Sequence, residues 1–221
     1  PMPRGDYVRP SVAQQGEDLL LSSTFFYLKV KKPSYLDIGS HHPVKSNNTY
    51  LLYRNGGRGV LVEPNPAFKE PTQRYRPGDK FLNIGIGITD QKEADYYLTD
   101  GDGQTNTFSK EQVDEMSKKL GKNVLKKVIK MPLVNINKVI SDNFKEGPPD
   151  LISVDVEGLD LAILETLDFK ANRPKIIIVE TLLFGTKQRN EKLISFLRAK
   201  GYVERGGTFV NTLFIDGEIL K

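Results

Sequence analysis

Two short apolar runs each end in a carboxylate and a turn: Tyr35-Leu36-Asp37-Ile38-Gly39 and Gly59-Val60-Leu61-Val62-Glu63-Pro64, with Glu63 26 residues after Asp37. A capped helix fits between them, so the pair reads as neighbouring parallel strands with both carboxylates at their carboxyl edge. That edge is where an open α/β sheet binds its ligand, and an acid ending the second strand is placed to bridge two ribose hydroxyls. A nicotinamide dinucleotide would also require Gly-x-Gly-x-x-Gly, so that bare backbone can meet a pyrophosphate. The second and third glycine positions hold His41 and Val44 instead. The pocket reads as one for an adenosine ligand without phosphates, and S-adenosylmethionine is the commonest such cofactor.

The rest of the chain continues the alternation. Clustered apolar residues from Asp18 to Val30, ending in Lys31-Lys32-Pro33, predict a helix before the first strand. Ser46-Asn47-Asn48 can cap a helix over Thr49 to Arg54 that stops at Asn55-Gly56-Gly57. A helix around Pro66 to Tyr75 and a turn at Pro77-Gly78-Asp79 lead to a third strand, Lys80 to Ile84. Residues from about 90 to 150 are less regular and read as an elaboration. It comprises an edge strand at Ala94 to Thr99, a flexible loop at Gly101-Asp102-Gly103-Gln104-Thr105-Asn106, a helix capped by Ser109 and Gln112 that runs to about Leu120, and a strand at Val128 to Val134. A helix over Asn137 to Phe144 and the break at Pro148-Pro149 precede a fourth apolar run, Leu151 to Val154, which ends in Asp155-Val156-Glu157-Gly158. A helix at Leu159 to Leu167, a fifth strand at Lys175 to Val179 ending in Glu180, a helix at Glu191 to Lys200 and a hairpin from Tyr202 to Ile215 complete the pattern. The expected organisation is a single domain over 1–221, with an N-terminal helical segment at 1–33 and a Rossmann-like core at 34–221.

Bulk properties exclude more than they select. A net charge of +4 over 221 residues is far from the charge blocks of a dedicated nucleic-acid binder. With no cysteine there is no disulfide framework, zinc-thiolate site or thiol nucleophile. No apolar run is long enough to span a bilayer and no signal-peptide core opens the chain, so a soluble, cytoplasmic protein is expected. Pro1 ahead of Met2 reads as a tag scar.

Four strand ends place Asp37, Glu63, Asp155 and Glu180 on one rim. Carboxylates in a partly desolvated cleft attract the sulfonium and ammonium of a methyl donor. Gly39, lacking a Cβ, lets the first loop turn against a ligand. His41 and His42 are the chain's two histidines and share that loop, so each is a candidate base for a hydroxyl acceptor. Asp155 and Glu157, two apart at a strand-to-helix junction, can act in catalysis. With Glu180 they can also bind magnesium or manganese through oxygen. Lys118, Lys119, Lys122, Lys126, Lys127 and Lys130 put six positive charges in thirteen residues. The run reads either as a solvated helix face or as a dock for an anionic acceptor. RNA is disfavoured, because aromatic interleaving is sparse and no Asn/Asp-Pro-Pro-aromatic tetrad follows the fourth strand.

Taken in order, Gln15-Gly16-Glu17-Asp18, Leu36-Asp37-Ile38-Gly39-Ser40-His41-His42-Pro43 with Ser46-Asn47-Asn48-Thr49-Tyr50, Gly59 to Pro66, and Ser153-Val154-Asp155-Val156-Glu157-Gly158 resemble the FkbM-type methyltransferases. Ser40 stands where alanine is more usual, and Asn47-Asn48 is one residue longer than the usual Ser-Asn-Thr-Tyr. The resemblance implies a class I methyltransferase fold, a mostly parallel seven-stranded sheet with an antiparallel last strand and helices on both faces. It implies O-methylation of a hydroxyl with S-adenosylmethionine as donor, most naturally on a sugar of a glycan, polysaccharide or glycosylated natural product, carried free or on a nucleotide or lipid diphosphate. It also places the cofactor near Asp37, Gly39, Ser40, Ser46, Asn48, Glu63, Pro64, Asn83 and Asp155. The alternatives are a non-catalytic cofactor-binding module on the same scaffold, which would keep Glu63, and a methyltransferase of a non-sugar small molecule.

Overall fold

A computed structural model describes residues 10–101, 103, 105–156, 158–183 and 186–221. The elements in chain order are α1 (Glu17–Tyr27), β1 (Ser34–Ile38), α2 (Tyr50–Arg54), β2 (Arg58–Val62), a 3-10 turn (Pro66–Phe68), α3 (Lys69–Tyr75), β3 (Lys80–Leu82), β4 (Gly85–Ile86) and β5 (Glu93–Thr99). They continue with α4 (Lys110–Leu120), β6 (Leu125–Val134), α5 (Ile136–Asn143), β7 (Leu151–Val154), α6 (Asp160–Glu165), β8 (Ile176–Glu180), α7 (Glu191–Ala199), β9 (Tyr202–Gly207), β10 (Asn211–Asp216) and a closing 3-10 turn (Gly217–Leu220).

Seven strands form the main sheet in the order β3-β2-β1-β7-β8-β10-β9. The pairs β1–β2, β1–β7, β2–β3 and β7–β8 are parallel, and β10 runs antiparallel to β8 and β9. The strand period of two divides the core. Leu36, Ile38, Val60, Val62, Ile152, Val154, Ile177 and Val179 join α5, α6 and α7 on one face. Tyr35, Leu61, Leu151, Ile176 and Ile178 join Leu21 and Phe25 of α1 and Leu52 of α2 on the other. Asp37 alternates with Leu36 and Ile38, so its carboxylate falls on the α1–α2 face.

Two expectations change. The third strand, expected to Ile84, stops at Leu82: Asn83 turns its Nδ2 onto the carbonyls of Glu63 and Pro64, each at 2.8 Å, and the chain leaves the ladder there. Gly85–Ile86 then pairs with β6 in a separate three-stranded sheet, ordered β4-β6-β5. The lysine run is not one helix face. Lys118 and Lys119 end α4, whereas Lys126, Lys127 and Lys130 lie on β6, which pairs antiparallel with β5. There Asp95 and Asp100 draw Lys130, Lys122 and Lys126 into exposed ion pairs at 2.9, 3.4 and 3.8 Å.

Candidate functional site

The carboxyl ends of β1, β2 and β7 open into a cleft. Gly39, His41 and Ser46 contribute from the first loop, Glu63 and Pro64 from the end of β2, and Asp155 and Val156 from the end of β7. The small sheet and the segment after it supply Tyr96, Gly103, Asn106, Thr107 and Phe108, and Gln14 reaches in from ahead of α1.

Glu63 is almost fully buried. Its Oε1 accepts the Asn65 N–H at 2.7 Å and its Oε2 accepts the His41 N–H at 2.8 Å. Two backbone donors fix the plane of the carboxylate, and an ionised carboxylate retains lone pairs for further donors. Burial pushes its pKa up to about 7; the two N–H bonds oppose the rise and the charge of Asp37 adds to it. Asn83 steadies the same strand end from behind through its two amide bonds. Tyr96 stands opposite, its phenol pKa raised by burial and by the Glu63 charge, with its ring 4.7 Å from that of Phe108.

The first loop rests on a buried polar network. Asp37 Oδ2 accepts from Thr49 Oγ1 at 2.7 Å and from Asn47 Nδ2 at 3.2 Å, and the same Asn47 amide reaches the Ser40 carbonyl at 2.9 Å. Arg76, wholly buried, donates to Asn47 Oδ1 at 2.9 Å, Thr49 Oγ1 at 2.9 Å and the Pro43 carbonyl at 3.3 Å. Its Nε pairs with Asp79 at 2.8 Å. Burial pushes the Asp37 pKa up, opposed chiefly by the Arg76 guanidinium. For Arg76 burial acts downward, but the attraction of Tyr35, Asp79 and Asp37 prevails and holds its pKa above the ordinary value. Asp37 and Arg76 thus shape the loop from beneath.

The sequence-derived site residues fall into groups. The structure gathers Gly39, His41, Ser46, Glu63, Pro64 and Asp155 around the cleft. Asp37, Ser40, Asn48 and Asn83 stand behind it; Ser40 Oγ is buried with no hydrogen-bond partner among the described residues. His42 is turned to local duty: its Nδ1 accepts the N–H groups of Val44 and Lys45 at 3.1 and 2.9 Å, and burial, followed by the charges of His41 and Lys45, lowers its pKa. His41, in the left-handed region at φ 49°, packs its ring 4.4 Å from Phe68.

Gly39 also answers to a different neighbour than the sequence suggests. At φ 78° a Cβ there would lie 1.9 Å from the Asp155 carbonyl oxygen, so the missing side chain lets β1 and β7 cross closely at the rim. Asp155 is held by its N–H to Ile38 O at 3.0 Å. The loop beyond it is tied by Asp160, which accepts from the N–H groups of Val156 and Gly158 at 3.2 and 3.1 Å. Glu180 ends β8 outside the cleft lining, and Glu157, expected to act in catalysis or to bind a metal, lies outside the described residues. No three His, Cys, Asp or Glu among the described residues gather to hold a metal ion.

Sequence reasoning missed Gln14, Tyr96, Asn106, Thr107, Phe108, Arg76 and Asp160. Of these only Asp160 had a local signal, an acid two residues after a glycine at a helix start.

A model of the FkbM methyltransferase domain matches residues 37–204, a span that begins at Asp37 and contains Glu63 and Asp155. The chain belongs to the FkbM methyltransferase family. A search of the curated proteins finds no significant match. Among solved structures, a Staphylococcus aureus protein provisionally named a caffeoyl-CoA O-methyltransferase aligns with a TM-score of 0.51 at 12% identity, over 94% of this chain and 86% of that one. A TehB-like S-adenosylmethionine-dependent methyltransferase from Corynebacterium glutamicum gives 0.49 at 8% identity, over 92% and 88%. An O-methyltransferase from Bacillus cereus in complex with S-adenosylhomocysteine gives 0.43 at 14%, over 97% and 84%. At such identities the likeness is one of fold, and the fold of this FkbM methyltransferase is the class I methyltransferase fold.

The methyl donor that family membership supports is S-adenosylmethionine, and the donor set fits it. Glu63 is a fixed carboxylate at the rim of the second strand, suited to a ribose diol, while Tyr96 and Phe108 offer an aromatic wall beside it. Asp155 adds negative charge on the far side of Gly39, which suits a cationic ligand. Among the described residues no helix is long and apolar enough to cross a membrane.

Proposed function

We propose that this FkbM methyltransferase transfers the methyl group of S-adenosylmethionine to a hydroxyl of a sugar, free or carried on a nucleotide or lipid diphosphate. The observation that carries the reading is the cleft in which the backbone-pinned carboxylate of Glu63 and the rim carboxylate of Asp155 flank the first loop of an FkbM domain.

Bound in the cleft, the cofactor supplies an electrophilic methyl carbon. Glu63 accepts the hydrogen bonds of a ribose diol. Asp155 orients the acceptor hydroxyl and draws on its proton, and His41, lining the same cleft, is the base that removes it. Much of the acceleration comes from alignment, because holding the nucleophile at the methyl carbon converts an encounter into a unimolecular step. Tyr96, Phe108 and the loop through Asn106 close the remaining wall and exclude water.

Incubating the purified protein with methyl-labelled S-adenosylmethionine and a panel of free sugars, sugar nucleotides and polyprenyl-diphosphate glycans tests the reading. Label recovered as a base-stable sugar methyl ether supports it. Label on nitrogen or on a non-sugar hydroxyl alone moves the acceptor class. Cofactor bound without turnover on any acceptor, sugar or not, favours the non-catalytic module.

A further inference from the structure

At the amino end of β1, away from the cleft at its carboxyl end, α1 finishes in two exposed aromatic side chains. Phe26 is 78% and Tyr27 79% exposed, and their rings meet edge to face at 5.7 Å. They rim an apolar hollow between α1 and α2 that Phe25, Val30 and Leu52 floor. Single exposed apolar residues are ordinary, but two large ones beside an apolar hollow form a contiguous patch of the kind that marks an interaction surface.

The charge around the patch says what it meets. Between Asp18 and Glu63 the chain carries six Lys and Arg residues and a single acid, Asp37, which is buried and hydrogen-bonded to Asn47 and Thr49. Lys29 and Lys31 line the hollow, and Lys32 and Arg54 are exposed beside it. Lys29 takes a left-handed backbone at φ 59°, which turns the chain at once out of α1. Protruding Phe and Tyr ringed by flexible lysines match a layered surface that is apolar inside and anionic at its face. We infer that this end of the molecule docks on an anionic lipid membrane, with Phe26 and Tyr27 entering the headgroup region and Lys29, Lys31, Lys32 and Arg54 contacting the lipid phosphates and carboxylates. Docking leaves the cleft at the opposite end of β1 open and does not depend on what it methylates. An acidic protein would meet the same charges, but it would need a rigid groove for the two aromatics, and these stand out from the fold rather than lie in it.

Co-sedimentation of the full chain with phosphatidylcholine vesicles, with and without phosphatidylserine, tests the inference. The protein should pellet with the phosphatidylserine vesicles, stay in solution with phosphatidylcholine alone, and be released as salt rises. Phe26→Ser with Tyr27→Ser, and separately Lys29→Glu with Lys31→Glu, should each weaken binding about tenfold or more, near a fivefold loss per cation removed. All four side chains are exposed, so the thermal unfolding of both variants should match the parent and show that loss of binding is not loss of fold. Failure to pellet with phosphatidylserine vesicles at low salt would overturn the inference. So would undiminished pelleting of Phe26→Ser with Tyr27→Ser, which would reduce it to general basic attraction. A solution dimer that the same substitutions dissociate would overturn it in favour of a second copy of the chain.

Discussion

Arg76, beneath the first loop, and Lys126, on β6, are cations held in opposite ways. Arg76 is wholly buried, with Asp79, Asn47, Thr49 and the Pro43 carbonyl around it. Lys126 is 55% exposed and meets Asp100 at 3.8 Å. The contrast extends to their surroundings. The donor wall, from Asp37 to Asn83, is fixed by buried hydrogen bonds, because a ligand's hydroxyls are read only by groups that cannot move. The wall from Tyr96 to Phe108 stands on a small sheet whose outer charges pair in water, where a pair is worth about 1 kcal/mol or less. On the proposed function the first wall meets the cofactor and the second faces the acceptor.

The largest expected effect tests that difference in rigidity. Arg76→Met should cost roughly 3–5 kcal/mol of unfolding free energy, since it strands Asp79 and Asp37 as buried carboxylates without their cation. Lys126→Ala should stay within about 0.5 kcal/mol. Equal losses in urea unfolding would erase the distinction between the two walls.

Next comes the protonation of Glu63. Its folded pKa of about 7 lies above its ordinary value of 4.5. A raised pKa means that the folded state favours the protonated form, so this contribution to stability is fully present below pH 4.5 and is lost as pH rises through about 7. At about 1.4 kcal/mol per unit it amounts to roughly 3 kcal/mol. The stability of the free protein, compared with Glu63→Ala at each pH, should fall over that window. Affinity for S-adenosylhomocysteine should rise over the same window, because only the ionised carboxylate accepts two hydroxyl donors. Parallel trends in the two measurements would show that Glu63 is a structural group and not a ligand-binding one.

Asp155→Asn keeps the shape and removes the charge. Turnover should drop about a hundredfold or more while S-adenosylhomocysteine affinity stays within about threefold. A matched loss in both would place Asp155 on the donor wall. The smallest effect belongs to the lysines. Lys126→Glu with Lys127→Glu should raise the KM of a phosphate-bearing acceptor by several-fold at low salt and much less once the Debye length has shrunk to about 10 Å at 0.1 M. It should leave the cofactor untouched, and a KM unchanged at low salt would return these side chains to plain solvation.

The same division explains what could be read from the sequence. Strand ends with acids, Asp37, Glu63 and Asp155, stand out because a buried parallel strand is an unbroken apolar run and its first carboxylate marks the rim. That pattern delivered the parallel strands and half of the cleft; the antiparallel last strand of the sheet came with the resemblance to the FkbM-type methyltransferases. It did not say which way each side chain points: Asp37 shares a strand with Leu36 and Ile38 and so faces α1 and α2, where it braces Asn47 and Thr49. Arg76, at the end of α3, has no sequence mark, since only the folded chain brings Pro43, Asn47 and Asp79 around it. Tyr96 reaches the cleft through the pairing of β5 with β6, a long-range match with no local signature, and Asn106 through its bond from the Thr99 N–H beside the Tyr97–Thr107 bridge. The lysine run looked helical because its charges are dense; the alternation of β6 is masked where Lys126 and Lys127 are consecutive.

On the proposed function Glu63, pinned between the N–H groups of His41 and Asn65, holds the ribose of the cofactor. Calorimetric titration of S-adenosylhomocysteine into the parent protein and Glu63→Ala at pH 8 tests it most directly. The expected loss is roughly 2–4 kcal/mol, or about 30- to 800-fold in affinity, in a variant that remains folded. Parent-like affinity in Glu63→Ala would contradict it.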